Sequence, residues 1–478
     1  MNRKSFILAC GIALALAGPS TRAENLYEVY QAAVKSDPVI READARRMAA
    51  LEVKPQARGL LLPQVSVAGE YSTSDTDSER ISLEPFEENG QTVFRPVDAF
   101  GSSDTDDWNY RARVTQTIFR WDQWQALKRA DSEVAVAEAN YRAAEQDLLV
   151  RVASRYFDVL AADDTLAAAE ATLQAVNRQL EQAEKRFEVG LIAITDVQEA
   201  RAAHDTATAG VIAAKRALAS ANEFLRELSG EAYLALVKPA DTMPLDQPQP
   251  ADEQAWVKQA VEQNLDVIAA RLGVDVAKSN VKIAQSGRMP TIDLFAQRSE
   301  FDTSGTGTSG TQLSGSVRSP ADSNTTDDTI GLQVTIPIFS GGVTSSRVRE
   351  QVYLHRASRE KLDGALRSAE RQTRDAYLGV IAEKARVAAL QQSVKSNQTA
   401  LEATEAGFDV GTRTTVDVLD ARRRLFEAQR DYARSRYDYL INIVRLQSAA
   451  GVLAPQDLAT INGFLTTPTT LPVVRPAG

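Results

Sequence analysis

The chain has 478 residues, 54 basic and 64 acidic side chains, and a formal net charge of −10, a balance that argues against a nucleic-acid partner. Its one cysteine, Cys10, excludes an intrachain disulfide. The two histidines, His204 and His355, stand far apart with no cysteine cluster or metal-ligand spacing around them, so no metal or other cofactor is expected.

In chain order, Arg3 and Lys4 precede an apolar run from Phe6 to Ala17, and Thr21 and Ala23 stand just ahead of Glu24. These are the three parts of a secretory signal peptide, expected at residues 1–23. Its removal takes Arg3, Lys4 and Arg22 away and leaves a net charge of −13. Cys10 lies inside the apolar run, which argues against a lipidated N-terminus. Beyond Ala23 no apolar run approaches the roughly 20 residues that a membrane-spanning helix needs. A membrane crossing would have to be made by strands.

Residues 25–60 read as helix, interrupted at Asp37-Pro38 and kinked near Pro55. Alternation then predicts strands at about 64–71 and 108–118, separated by a polar, acidic stretch, 72–107, that reads as an exposed loop. From 122 to 188 nothing breaks a helix, a rod of roughly 100 Å. Leu166, Leu173, Leu180 and Phe187 mark its seven-residue seam, and Val197, Val211, Leu218 and Leu225 mark that of the returning helix to 229. Such seams mean supercoiled helix-on-helix packing. A Pro-containing stretch, 231–255, follows and reads as a linker or a small side structure (an equatorial segment). The pattern then repeats over 256–450: helix, strands at about 291–300 and 329–338 around a second polar loop (302–328), and a long hairpin, 342–450. Residues 451–478 read as a loosely ordered tail.

The first repeat, 24–230, and the second are most alike at their turns. FEVGLIAITDVQE (Phe187 to Glu199) recurs 221 residues later as FDVGTRTTVDVLD (Phe408 to Asp420). Gly190 and Gly411 stand where a chain leaving a helix needs a left-handed residue, and Thr195 and Thr415 are the expected caps of the returning helices. The second turn carries Arg413, Asp417 and Asp420 where the first has Ile192, Asp196 and Glu199. Asp417 and Asp420 share a helix face, and by default they are first-turn acids favoured by the helix dipole.

Each strand of about ten residues spans roughly 33 Å, enough to cross a bilayer core at a tilt. Four strands cannot close a barrel, and an open edge in lipid leaves backbone groups unsatisfied. Three chains would supply twelve.

The start ENLYEVY at Glu24, LLPQ at Leu61, and the turns VGLIAITDVQ and VGTRTTVDVLDA resemble the TolC family of bacterial outer-membrane channel proteins over essentially the whole mature chain. The resemblance implies a mainly α fold with membrane β: a homotrimer with one 12-stranded outer-membrane β-barrel, four strands per protomer, continuous with a long periplasmic α-helical barrel. It implies outer-membrane lipid around the strands, and a periplasmic adaptor (membrane fusion protein) and an inner-membrane transporter of ABC or RND type as partners in type I secretion or efflux. Carried over by position, Asp417 and Asp420 match the family's acidic rings at the gate. Arg413 matches its latch arginine, and Thr195 and Asp196 that arginine's partners. Phe408 stands where the family often has a latch tyrosine, and it lacks the hydroxyl. Val189, Gly190, Val410 and Gly411 fall at the turns expected to meet the adaptor. The alternative is a periplasmic coiled-coil adaptor or scaffold, which would carry one hairpin flanked by compact β-domains rather than two.

Overall fold

Local chemistry sets the first breaks in the chain. Helix α1 (Leu26–Ser36) starts at Asn25, whose side chain accepts from the Glu28 N–H at 3.0 Å while the Glu28 carboxylate accepts from the Asn25 N–H at 2.9 Å. It ends before Pro38, and Asp37 accepts from the N–H groups of Val39 and Ile40 to open α2 (Pro38–Leu51). α2 stops at Leu51, the residue four before Pro55 whose carbonyl the proline ring would meet, and α3 (Val53–Gly59) resumes beyond Glu52. The break expected near Pro55 therefore falls at Glu52.

The structure, a computed structural model, describes residues 23–240 and 243–471. The expected leader, but for Ala23, lies outside the described residues. The remaining elements are β1 (Gln64–Glu88), β2 (Gln91–Phe119), α4 (Trp121–Glu188), α5 (Ile194–Ser229), β3 (Ala235–Pro239), α6 (Glu253–Gln263), α7 (Leu265–Ser286), β4 (Thr291–Thr311), β5 (Gly315–Pro320), β6 (Ser323–Thr335), α8 (Val343–Asp409), α9 (Thr415–Ala449), α10 (Pro455–Asn462) and β7 (Leu465–Thr470). Among the described residues no helix is long and apolar enough to cross a membrane. The chain divides into two units, one of Met48–Val136 with Arg271–Glu360, the other of Met1–Arg47, Ala137–Ala270 and Lys361–Gly478.

The first of these units holds an antiparallel sheet in which β1 pairs with β2, β2 with β4, and β4 with β6 at one end and with β5 at the other. One face carries Val65, Val67, Tyr71, Trp108, Val114, Leu294, Ile330 and Leu332 in register. The other carries Ser66, Glu70, Arg111, Arg113, Gln297 and Gln333. Val67 is 77% exposed and Ile330 81%, so the apolar face covers no protein core within one chain. Tyr71 and Trp108 lie 4.7 Å apart, and Trp108 stacks on Tyr110 at 6.0 Å. The Arg298–Asp328 pair, 3.4 Å apart, lies on the same face, level with Val67 and Ala112 and one pair short of Tyr110.

The stretches expected as loops at 72–107 and 302–328 are instead strand. The β1–β2 ladder runs unbroken from Gln64↔Thr115 to Glu88↔Gln91. It closes at Asn89-Gly90, both with positive φ, as a two-residue hairpin requires. Over 72–80, 101–107 and most of 302–328 polar side chains on both faces erase the alternation, and the cross-strand hydrogen bonds hold the strands regardless. The second hairpin tops out at Thr311↔Gly315, level with Ala99, so residues 81–98 of the first stand roughly 26 Å beyond it, at about 3.3 Å per residue.

In the other unit the core gathers around Tyr156, Phe157 and Tyr437, with Phe157 edge-on to Tyr156 at 5.6 Å and stacked on Tyr437 at 5.7 Å. The Tyr156 hydroxyl donates to the Val237 carbonyl at 2.7 Å, which ties β3 to α4. β3 pairs antiparallel with β7, and Leu236 also bridges to Glu24. The stretch 231–255 thus holds a strand, as a small side structure would, and the tail expected to be loose contributes α10 and that strand's partner. Lys238 lies 2.6 Å from both Asp163 and Asp164, and Thr469 donates to Asp163 at 3.0 Å.

Candidate functional site

Each long hairpin reverses in the same way. α4 ends with the Gly190 N–H donating to the Phe187 carbonyl at 2.8 Å and the Leu191 N–H to the Arg186 carbonyl at 2.8 Å. α8 ends with Gly411 N–H donating to Phe408 and Thr412 N–H to Gly407, at 3.0 and 2.8 Å. Gly190 and Gly411 have φ of 75° and 77°, a left-handed conformation that costs a residue with a Cβ about 1 kcal/mol or more. Val189 and Val410, one residue before each glycine, are 69% and 76% exposed.

The caps differ from expectation. Thr195 and Thr415 lie inside the helices; the capping positions are Ala193 and Thr414. The Asp417 carboxylate accepts from the Thr414 N–H at 2.9 Å and from its hydroxyl at 3.0 Å, while the Thr414 hydroxyl oxygen accepts from the Asp417 N–H at 3.2 Å. Asp196, its equivalent, accepts from the Ala193 N–H at 3.3 Å, and alanine offers nothing in return. The backbone and hydroxyl hydrogen bonds from Thr414, helped by the charge of Arg413, hold the Asp417 carboxyl below the usual range. Asp420, one turn on, pairs with Arg423 at 3.3 Å.

Arg413 is exposed, and among the described residues no hydrogen bond or ion pair joins it to Thr195 or Asp196 of its own chain. Its stem folds across Gly407, where an added Cβ would lie 2.8 Å from the Arg413 Cγ. Phe408 packs with Val394 and Ala421 against Leu401, Val418 and Leu425. The Arg186 guanidinium of the other hairpin lies over its ring, 4.9 Å from the centroid.

Two further pairs escaped the sequence reading. Arg201 of α5 reaches Glu184 of α4 at 3.0 Å, and Arg422 of α9 reaches Glu405 of α8, the same pair displaced by 221 residues. The signal was present, since both partners recur at the repeat offset. It was masked by the many other charges on the hairpin surfaces.

Comparison with known proteins follows the same two-part plan. The family model described as Outer membrane efflux protein matches residues 29–231 and 256–452. Outer membrane protein TolC of Escherichia coli K12 is 37% identical over 460 residues, 96% of this chain and 88% of that protein. The alkaline protease secretion protein AprF of Pseudomonas aeruginosa is 26% identical over 444 residues, 91% of this chain and 86% of that one. The crystal structure of the outer membrane protein VceC from Vibrio cholerae shares the fold, with a TM-score of 0.68 at 22% identity over 89% of this chain and 96% of that one. With both repeats matched and a relative this similar along almost its whole length, the chain belongs to the outer membrane efflux protein family.

Proposed function

We infer that this outer-membrane protein is an exit channel through which proteins, drugs or other small molecules leave the cell, and that three copies of the chain build it. The observation that carries the reading is the sheet with one exposed apolar face, one polar face and two unpaired edges, β1 and β6. An apolar face covering no protein core suits contact with lipid, and edges in lipid need partners from identical neighbours. Three sheets of four strand lines, with β5 and β6 counted as one interrupted line, supply twelve. The polar face then lines a lumen. Relatives named for protease secretion and for efflux support cargo of both kinds.

The hairpin turns are the inner gate in this reading. Asp417 and Asp420, three copies of each, form acidic rings that favour cations. Arg413 bonds to Thr195 and Asp196 across a contact made in the assembly, and Phe408 packs at the same latch. Val189 and Val410, exposed beside Gly190 and Gly411, offer apolar tips to a periplasmic adaptor, which links the channel to an inner-membrane transporter. Residues 24–230 and 256–450 are the two repeats that place these parts.

Cysteine cross-linking tests the assembly. A cysteine at Ser66 on β1, combined in turn with cysteines from Thr329 to Gln333 on β6, should yield covalent species that stop at three chains, in protein extracted from outer membranes only by detergent. Species that stop at two chains, or protein released by a salt wash, would overturn the reading.

A further inference from the structure

The repeat offset exposes an exchange between the turns. Arg186 of the first hairpin aligns with Gly407 of the second, and Arg413 of the second aligns with Ile192 of the first. Each turn therefore carries one arginine, placed before the glycine turn in one copy and after it in the other. In the second hairpin Gly407 leaves the room that the stem of Arg413 occupies. In the first, the side chain at that position is itself the arginine, and its guanidinium leaves its own hairpin and lies over Phe408, 4.9 Å from the ring centroid.

Phe408 is suited to receive it. The ring packs against the Leu401, Val418 and Leu425 cluster of its own hairpin, which fixes its position, while a face remains open to the cation. An aromatic face attracts a guanidinium through its quadrupole, and no hydroxyl is needed. A phenylalanine here does not leave the site without a polar contact; it accepts a cation where a tyrosine would also have offered a hydrogen bond.

We propose that Arg186 is a positioning residue of the gate: its cation–π contact with Phe408 ties the α4 end of one hairpin to the α8 end of the other in the closed channel and breaks on opening. This rests on the reading of the turns as the gate. It adds a link that is complete within a single chain, whereas the Arg413 link requires the assembled channel.

Single-channel recording of the assembled protein in planar bilayers tests it, with Arg413→Ala/Asp196→Ala as the reference for the gate itself. Arg186→Gln and Phe408→Leu should each raise the open-to-closed ratio about two- to five-fold, the effect of losing one exposed cation–π contact. The double variant should go no further than either single one. Phe408→Trp, which keeps a better π face, should leave the ratio at or below that of the parent. A merely structural loss would lower trimer thermal stability without this pattern, and that result overturns the proposal. If Arg413→Ala/Asp196→Ala opens the channel and the Arg186 and Phe408 variants do not, the proposal fails while the gate reading stands. If none of the variants opens it, both fail.

Discussion

Arg201 closes back across its turn onto Glu184 at 3.0 Å, and 221 residues further on Arg422 closes onto Glu405. Both pairs join the outgoing and returning helices of a hairpin near its tip. The side chains of the first pair are 54% and 42% exposed, whereas that of Arg422 is 19% exposed, so solvent screens the first far more. Arg201→Ala should cost at most about 0.5 kcal/mol, and Arg422→Ala about 1 kcal/mol or somewhat more. Thermal unfolding followed by circular dichroism checks the order. Equal losses, or a larger one at Arg201, would contradict it.

The two gate acids should separate in experiment because only one of them is bound into a cap. Asp420→Asn is expected to weaken cation selectivity and leave folding alone, since its ion-pair partner among the described residues is the exposed Arg423 one turn away. Asp417→Asn should weaken selectivity and also loosen the turn that Thr414 and Asp417 close together. The Asp417 pKa is lowered in the folded chain, so its contribution is complete above the ordinary aspartate pKa and is lost as pH falls through the depressed value. The difference in thermal stability between parent and Asp417→Asn should therefore be largest at neutral pH and close in strong acid. Reversal potentials in a salt gradient read the selectivity.

The helical part was legible because its seam is written in side chains. Val394, Leu401, Phe408, Val418 and Leu425 follow the seven-residue spacing, and the same five meet at the second hairpin's tip. The sheet was half legible. Val65, Val67 and Tyr71 alternate with polar partners, but from Ser72 to Arg80 and from Gly101 to Asp107 both faces turn polar and period two disappears, although the backbone ladder continues to the hairpin end, where Ile81, Leu83 and Phe94 return. The Asn89-Gly90 dipeptide was the one local sign of a hairpin there, and it lay inside what read as loop. β7 was hidden for another reason: its partner β3 lies more than two hundred residues earlier, and neither strand alternates clearly. The Arg186–Phe408 contact joins two hairpins, and a spacing read within one hairpin cannot carry it.

Glu383 of α8 is buried, its Oε1 has no hydrogen-bond partner among the described residues, and Arg386 stands 3.6 Å away. Burial raises its pKa, the Arg386 charge lowers it, and Asp438 across on α9 raises it again, with a net upward shift. A carboxyl whose pKa is raised on folding binds its proton more tightly in the folded chain, so it penalises folding while ionised and stops doing so as pH falls through the raised value. Glu383→Gln, which keeps the shape and removes the charge, should raise the melting temperature at neutral and mildly alkaline pH, with the gain shrinking in mild acid. A gain independent of pH would point to packing instead.

Lys238 holds the small β3–β7 sheet to the helices. Its ammonium lies 2.6 Å from Asp163 and from Asp164, the Tyr437 hydroxyl donates to Asp164 at 2.5 Å, and Thr469 of β7 donates to Asp163 at 3.0 Å. Burial alone would lower the Lys238 pKa, but the hydrogen bonds to the two aspartates prevail and raise it. The resulting stability is complete below the ordinary lysine pKa and is lost only as pH rises through the raised value, so it does not vary across the neutral range. Lys238→Met leaves two largely buried carboxylates without their cation and should cost about 3 kcal/mol. Adding Asp163→Asn and Asp164→Asn should recover much of that loss, because no unpaired charge is then left behind. A chain ending after Gly463 loses β7 and Thr469 but keeps the Lys238 pair, so it should melt lower than the parent while Lys238→Met still destabilises it further. Lys238→Met melting with the parent would show that the cluster carries no such load.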